Sequence, residues 1–209
     1  MLYQLSYFRL YKPNINKFKI SFLKGHSFIL STFNFIPNKM PVILPVKDKS
    51  PQWGTDCFIA ENATIVGDVV MGNNCSVWFN AVIRGDVHYI KIGDNTNIQD
   101  GACIHATYLK APTNIGNNVS IGHNAIVHGC TLHDNVLIGM GAIVMDAAVV
   151  EEYVIIGAGS VVLENTICES GYLYAGAPAK KIKPLTDEQK ALLNKLPQNY
   201  IMYSGWFKD

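Results

Sequence analysis

Apolar residues recur at almost every sixth position between Ile59 and Val161, and this period organises most of the chain. A small or β-branched residue stands four positions after most of them, as Ala125 follows Ile121. A period of six matches neither an amphipathic helix, with about 3.6 residues per turn, nor a plain alternating strand, with a period of about two. It predicts an all-β solenoid, a parallel β-helix in which three hexapeptides form one triangular coil.

The residues at the predicted corners fit this solenoid. Glycine and asparagine follow the apolar position in stretches such as IGNNVS (115–120) and IGHNAI (121–126). These two residue types accept the backbone angles of tight corners more readily than others do. The chain is 49% hydrophobic and only 16% charged, which indicates one β-rich domain with appendages.

The two ends of the chain depart from the pattern. Residues 1–39 contain six lysines or arginines, no acidic residue and no hexapeptide pattern. They are either a basic targeting presequence or an upstream extension that is not translated, with Met40 as the true first residue. Because AT-rich codons would produce this composition without selection, the second interpretation is favoured. Residues 40–185 are predicted to form the solenoid.

Residues 186–209 are predicted to form a C-terminal helical segment. Thr186 and Gln189 have the spacing of a capping box, which marks the start of a helix. Pro197 is expected to stop or bend this helix, and a second helical stretch is expected from Gln198 to Phe207.

Composition also limits location and partners. No apolar run reaches the roughly 18 residues that a transmembrane helix needs, so no membrane partner is expected. The five cysteines form no CxxC pair, and their odd number indicates free thiols in a reducing, cytoplasmic compartment. Without residues 1–39, 11 basic residues stand against 16 acidic ones, so no nucleic-acid partner is expected either.

Counting the hexapeptides in threes assigns polar residues to the faces of the prism. Three side chains share the second position on one face and form what we call the histidine column: Arg84, His105 and His128. Asp100 and His123 share the third position on a neighbouring face, with Gln99 beside Asp100. Adjacent coils lie about 5 Å apart, so His105 and His128 are close enough to hold one metal ion.

His123 is expected to point away from that pair, because it lies on another face. It reaches a metal held by His105 and His128 only if a neighbouring subunit supplies it. A cyclic trimer would then carry three equivalent sites at its subunit boundaries. Histidine ligands suit both zinc and iron.

The motifs of this chain, taken together, resemble the γ-class carbonic anhydrase family from about Met40 to the C-terminus. The segment GYLYAGAPAK (171–180) resembles the bacterial hexapeptide-protein branch of that family in particular. The matching segments are RGD (84–86), NIQDG (97–101), IHAT (104–107), IGHNAIVHGC (121–130), IGMGA (138–142) and GYLYAGAPAK (171–180). This resemblance implies a left-handed β-helix, whose hand the hexapeptide period does not predict, and a homotrimer.

The resemblance also implies the roles of individual residues. Zn²⁺, or alternatively Fe²⁺, would be held by His105 and His128 of one subunit and His123 of the next. The other implied site residues are Arg84 and Asp86 as an inter-subunit ion pair, Gln99 as the hydrogen-bond partner of a metal-bound hydroxide, and Asp100 as its polar neighbour. The implied reaction is the reversible hydration of CO2 to bicarbonate, because zinc lowers the pKa of bound water from about 16 to about 7.

One departure from the family pattern concerns proton transfer. The family's prototype carries glutamates in loops near the metal, whereas the loop ATYLKAPTN (106–114) has no carboxylate. The expected hydratase is therefore slow or dependent on buffer, with His88 and Tyr108 as weak alternative relays. Two other functions stay open: an acyl-CoA thioesterase or acyltransferase on the same scaffold, and a non-catalytic trimeric assembly protein.

Overall fold

The computed structural model describes residues 40–207, so the predicted extension 1–39 lies outside the described residues, as do residues 208 and 209. The described part is a parallel β-solenoid followed by one helix, which confirms the predicted fold class. Its strands are β1 (Val42–Leu44), β2 (Gln52–Trp53), β3 (Phe58–Ile59), β4 (Thr64–Met71), β5 (Ser76–Val77), β6 (Val82–Ile92), β7 (Asn97–Ile98), β8 (Cys103–His105), β9 (Thr113–Ile115), β10 (Ser120–Ile121), β11 (Ile126–His128), β12 (Thr131–Leu132), β13 (Leu137–Ile138), β14 (Ile143–Val144), β15 (Val149–Val150), β16 (Ile155–Ile156), β17 (Val161–Val162), β18 (Ile167–Cys168), β19 (Tyr172–Gly176) and β20 (Ala179–Pro184). The helix α1 spans Asp187–Gly205.

The strands form three faces, and each strand pairs with the strand one coil further along the chain. The first face runs from β1 through β4, β6, β8, β11 and β14 to β17. The second runs from β2 through the later parts of β4 and β6 to β9, β12, β15 and β18, so these two long strands turn the corner between both faces. The third face runs from β3 through β5, β7, β10, β13 and β16 to β19 and β20.

The core is the inside of the prism. The aliphatic residues predicted to point inwards are buried there, for example Ile83, Ile104, Val127 and Ile138, each with none of its surface exposed. The small residue four positions later fills the inner corner, as Ala102 and its counterparts on other coils do. Because the inward positions are occupied mainly by apolar residues, with Thr96 and Ser160 as buried polar residues at inner corners, most charged side chains of the hexapeptides lie on the outside of the solenoid.

One outer corner carries a stack of polar side chains that we call the turn ladder: Asn73, Asp94, Asn117 and Asp134. The Oδ1 atom of each accepts a hydrogen bond from a backbone N–H one coil earlier, at 2.7 to 2.9 Å. Glycines precede the first three, and a Cβ atom added at Gly72, Gly93 or Gly116 would collide with the ladder oxygen of the next coil. The recurrent glycine in the sequence pattern is thus explained by this close approach.

The solenoid continues into the stretch 171–184, because β19 still pairs in parallel with β16 before β20 turns back antiparallel. The helix α1 carries the predicted capping box of Thr186 and Gln189, but it runs through Pro197 to Gly205 without a second helix. Leu193 and Pro197 are both buried, so packing against the solenoid holds the helix across the proline. Among residues 40–207, no helix has the length and apolar character to cross a membrane.

Candidate metal centre

The histidine column forms on the first face because its members follow inward aliphatic residues on successive coils. His128 of β11 pairs directly with His105 of β8, and Arg84 of β6 lies on the coil before them. The two imidazole rings have centroids 5.1 Å apart and are tilted by 59°. The stacking that the hexapeptide count predicts for these residues is therefore present.

Each histidine contacts a carboxylate through one ring nitrogen and the other histidine through its second. The Nε2 atom of His105 lies 3.1 Å from Oδ1 of Asp86, and the Nδ1 atom of His128 lies 2.6 Å from Oδ1 of Asp146. The remaining nitrogens, Nδ1 of His105 and Nε2 of His128, face each other at 3.1 Å. Since a carboxylate accepts a hydrogen bond, these contacts favour tautomers in which both facing nitrogens present lone pairs.

Two facing lone pairs repel unless a cation or a proton lies between them. Two nitrogens bound to one tetrahedral zinc ion at ~2.0–2.1 Å are separated by roughly 3.3 Å. The observed separation of 3.1 Å between Nδ1 of His105 and Nε2 of His128 fits that requirement closely. The donor set of the column therefore suits a metal ion that prefers imidazole ligands.

The surroundings of His105 lower the pKa of its ring. Burial lowers this pKa most, and the positive charge of Arg84 lowers it further; together they outweigh the opposing effects of the hydrogen bond that the ring donates to Asp86 and of the negative charge of that carboxylate. Burial alone would raise the pKa of the Asp86 carboxyl, but hydrogen bonds from Arg84 and His105 hold it below its usual value. The Nη1 atom of Arg84 lies 2.6 Å from Oδ2 of Asp86 within the same chain. Asp86 is thus an ionised acceptor shared by an arginine and a histidine.

Asp146 is a site residue that the sequence analysis does not identify. It lies one coil beyond Gly129, and its side chain is 11% exposed. Its Oδ2 atom accepts a hydrogen bond of 2.5 Å from the hydroxyl of Thr107. Burial would raise the pKa of the Asp146 carboxyl, but hydrogen bonds from Thr107 and His128 lower it. The hexapeptide count places Asp146 on the face of the histidine column, one position after the residue that stacks on His128. This position was the signal by which the sequence could have suggested Asp146 as a site residue.

His123 and Asp100 are stacked on the third face. His123 follows β10 and Asp100 follows β7, two strands that pair in register. The Nδ1 atom of His123 lies 3.0 Å from Oδ2 of Asp100, and both side chains are about two-fifths exposed. Among residues 40–207, no group of three or more histidine, cysteine, aspartate or glutamate side chains is positioned to hold a metal ion. One chain therefore brings His105 and His128 together and leaves His123 on a separate, exposed face.

Gln99 is buried beside Asp100, and a chain of amides orients it. Its Nε2 atom donates to Oδ1 of Asn97 at 3.0 Å, and Asn97 in turn donates to the hydroxyl of Ser120 at 2.7 Å. Because the side-chain NH2 of Gln99 is engaged, the direction of its amide oxygen is set as well.

Tyr200 of α1 lies near the same face. Its ring packs edge-on against Trp78 at 5.5 Å. Burial and the negative charge of Asp100 both raise the pKa of Tyr200. The C-terminal helix therefore brings a phenol into the surroundings of Asp100.

The two candidate proton relays lie at the edge of the site. His88 lines a cleft of about 340 Å³ together with Asp86 and Tyr89, and its Nδ1 atom accepts a hydrogen bond from the backbone N–H of Tyr89 at 2.9 Å. Tyr108 is 64% exposed in the loop that follows His105. His88 thus lines the same cleft as Asp86, which contacts the histidine column, whereas Tyr108 faces solvent.

Known proteins resemble this chain over most of its length. Residues 129–164 match the family model described as bacterial transferase hexapeptide (six repeats). The carbonic anhydrase of Geobacillus kaustophilus (strain HTA426) is 42% identical over 80% of this chain and 91% of its own length. The mitochondrial γ carbonic anhydrase 2 of Arabidopsis thaliana is 42% identical over 76% of this chain and 59% of its own length. The crystal structure of a hexapeptide transferase family protein from Anaplasma phagocytophilum matches with a TM-score of 0.76 and 44% identity over 79% of this chain and 98% of that one.

Proposed function

Because the chain belongs to the γ-class carbonic anhydrase family, we propose that it hydrates CO2 reversibly at a metal site shared between two subunits of a homotrimer. The observation that carries this proposal is the pair of facing nitrogens, Nδ1 of His105 and Nε2 of His128, at 3.1 Å. His105 and His128 of one subunit would hold the metal together with His123 of the next. Zinc is the proposed metal, with ferrous iron as the alternative.

A metal held there supplies hydroxide at neutral pH, because it lowers the pKa of bound water to about 7. The protein's own groups have separate tasks. Asp86 and Asp146 each accept a hydrogen bond from one histidine and so direct its other nitrogen towards the metal. Gln99, whose amide nitrogen donates to Asn97, would offer its amide oxygen to a metal-bound hydroxide. Asp100 contacts the proposed third ligand, His123, and orients its ring.

The position of His123 supports the proposed trimer. His123 lies on a different face from the histidine column, so a three-histidine site needs a second chain packed face to face. Arg84 contacts Asp86 within one chain, and its side chain is 44% exposed. We propose that this exposed ion pair lies at the boundary between subunits, where Asp86 would serve both the interface and His105.

Proton release is the proposed weakness of this enzyme. The loop from Ala106 to Asn114 carries no carboxylate, and Tyr108 in this loop faces solvent. Turnover would therefore depend on buffer as proton acceptor or on His88 in the neighbouring cleft. We expect the hydration rate to rise with buffer concentration at constant pH.

The sharing of ligands between subunits can be tested by complementation. Trimers of His105→Ala subunits and trimers of His123→Ala subunits should both lose zinc and CO2 hydration. When the two variants are refolded together, each mixed trimer should regain one intact site, because one subunit supplies His105 and His128 and its neighbour supplies His123. Zinc content and stopped-flow hydration should then recover in part. Mixed trimers that bind no zinc would contradict the shared site.

A transferase-like function has one observation in its favour, since the solved relative from Anaplasma phagocytophilum is described as a hexapeptide transferase family protein. The same purified protein, loaded with zinc or with iron, can be assayed for CO2 hydration and for hydrolysis of acetyl-CoA. Hydration without thioester cleavage supports the proposal. Thioester cleavage without hydration would favour the acyl-CoA function. An intact metal-loaded trimer without either activity would favour an assembly role.

A further inference from the structure

We propose that Asp146 and Thr107 form a positioning pair that commits His128 to one tautomer and thereby presents its Nε2 atom for metal binding. This inference rests on the proposed metal site. It concerns Asp146 and Thr107, two residues other than the three histidines, and the loop that contains Thr107. The geometry that supports it is a continuous chain of contacts from Thr107 through Asp146 to His128.

The first step is the direction of each hydrogen bond. The hydroxyl of Thr107 donates to Oδ2 of Asp146 at 2.5 Å, and Oδ1 of Asp146 lies 2.6 Å from Nδ1 of His128. A carboxylate can only accept, so Nδ1 of His128 must carry the hydrogen. The lone pair of the ring is then on Nε2, the atom that faces Nδ1 of His105.

The second step is the space reserved for Asp146. Gly129 follows His128 and has a φ of +56°. A Cβ atom at this position would lie 2.5 Å from Oδ1 of Asp146, the oxygen that contacts His128. The glycine after the ligand therefore makes room for the carboxylate that orients the ligand.

The third step is the loop between His105 and β9. Thr107 and Ala111 close this loop through a backbone bridge. At its end the hydroxyl of Thr113 donates to the carbonyl of His105 at 2.5 Å and accepts from the N–H of Gly129 at 2.9 Å. The Thr113 end of the loop is thus bonded to the segments that carry both histidines, and Thr107 at the other end couples the position of the loop to the orientation of His128 through Asp146.

The carboxylates of Asp146 and Asp86 differ in exposure and in the group that binds their second oxygen. The Asp86 side chain is 27% exposed and divides its oxygens between His105 and Arg84. Asp146 is 11% exposed, and its second oxygen is held by a neutral hydroxyl from its own chain. The contacts that orient His128 therefore lie within one chain.

The test uses Asp146→Asn. A hydroxyl can donate or accept, and in this variant we expect that of Thr107 to keep its present role as donor, so that it holds the amide oxygen and leaves the NH2 group towards His128. An NH2 group forces Nδ1 of His128 to accept, which moves the ring hydrogen to Nε2. We expect the affinity for zinc, measured by competition with a chelator, to fall by ~10–100-fold.

A second variant separates positioning from general structural damage. In Asp146→Asn combined with Thr107→Val, no hydroxyl holds the amide, so its oxygen can turn to His128 and restore the original tautomer. We expect the double variant to bind zinc more tightly than Asp146→Asn alone, whereas additive structural damage would make it bind more weakly. Thr107→Ser, which keeps the hydroxyl, should match the unmodified protein.

The matched control is Glu151→Gln, which removes the carboxylate near another histidine, His133, at 3.8 Å outside the site. It should leave the zinc affinity unchanged within about twofold. The inference is overturned if Asp146→Asn binds zinc as tightly as the unmodified protein, or if the double variant is the weaker binder.

A readout on the metal-free protein keeps this inference distinct from the proposed function. Nitrogen chemical shifts of the His128 ring should show hydrogen on Nδ1 in the unmodified protein and on Nε2 in Asp146→Asn. If that change occurs and the unmodified protein binds no zinc, the proposed function fails and the positioning role of Asp146 stands. If the tautomer does not change, the positioning role fails whatever the protein binds.

Discussion

The turn ladder and the histidine column are both stacks of polar side chains that rise coil by coil, but they bond to different partners. In the ladder, the Oδ1 atoms of Asn73, Asp94, Asn117 and Asp134 accept backbone N–H groups of the preceding coil. In the column, the ring nitrogens of His105 and His128 contact carboxylates and each other. The same repeat therefore builds one stack whose side-chain oxygens bond to the main chain and another whose ring nitrogens do not.

This difference separates stability from chemistry. A ladder oxygen already bonded to an N–H group contributes to the register of the coils, and its loss leaves a backbone donor without its partner. A column nitrogen bonded to no backbone group keeps its lone pair for a ligand. We therefore expect changes in the ladder to reduce stability and changes in the column to reduce metal binding, each with little effect on the other property.

The largest expected effect is the loss of metal in His128→Ala. Removing one of the three proposed imidazole ligands should weaken zinc binding by more than about 100-fold, a larger effect than that expected for a residue that only orients a ligand. The side chain is 34% exposed, so the free energy of unfolding of the metal-free protein should change by less than ~1 kcal/mol. Zinc competition and urea denaturation measure the two quantities.

His133→Ala is the matched control for that experiment, because His133 is an exposed histidine beside Glu151 at 3.8 Å. It should bind zinc normally. Equal loss of zinc in both variants would mean that histidines outside the column also bind the metal, and the proposed division between the two stacks would then be wrong.

Sequence reasoning places His105 over His128 correctly because register in a solenoid follows from counting hexapeptides. It does not find Asp146, since that contact depends on how far a side chain reaches past Gly129 rather than on a shared position. It expects the helix to stop or bend at Pro197, because proline is unfavourable inside a helix. In the structure, burial of Leu193 and Pro197 favours one continuous helix. The proposed site pairs His123 with the histidine column of another subunit, and no count within one chain can identify that pairing.

A smaller effect is expected in the ladder from Gly93→Ala. The added Cβ atom would lie 2.5 Å from Oδ1 of Asn117 and 2.7 Å from the carbonyl carbon of Gly116, so the backbone of two coils must shift. We expect the free energy of unfolding to fall by ~1–3 kcal/mol, measured in urea, with the zinc affinity of the folded protein unchanged.

Gly205→Ala is the control for the added methyl group, because no atom lies within 4 Å of a Cβ atom at that position. It should leave stability unchanged or raise it slightly. If Gly93→Ala were as stable as Gly205→Ala, the close approach between the glycine and the ladder oxygen would not explain the recurrent glycine of the hexapeptides.

The smallest expected effect comes from Asp94→Asn, and it makes the sharpest contrast between the two stacks. The amide oxygen can still accept the N–H of Asn73, which the Oδ1 atom of Asp94 accepts at 2.7 Å, so the free energy of unfolding should change by less than ~0.5 kcal/mol. Asp94→Ala removes the acceptor and should cost about 1 kcal/mol. The same exchange of aspartate for asparagine at position 146 should leave a donor facing a histidine and weaken zinc binding. If Asp94→Asn destabilised the protein as much as Asp94→Ala, the charge of the ladder carboxylate, rather than its acceptor oxygen, would be what the coils require.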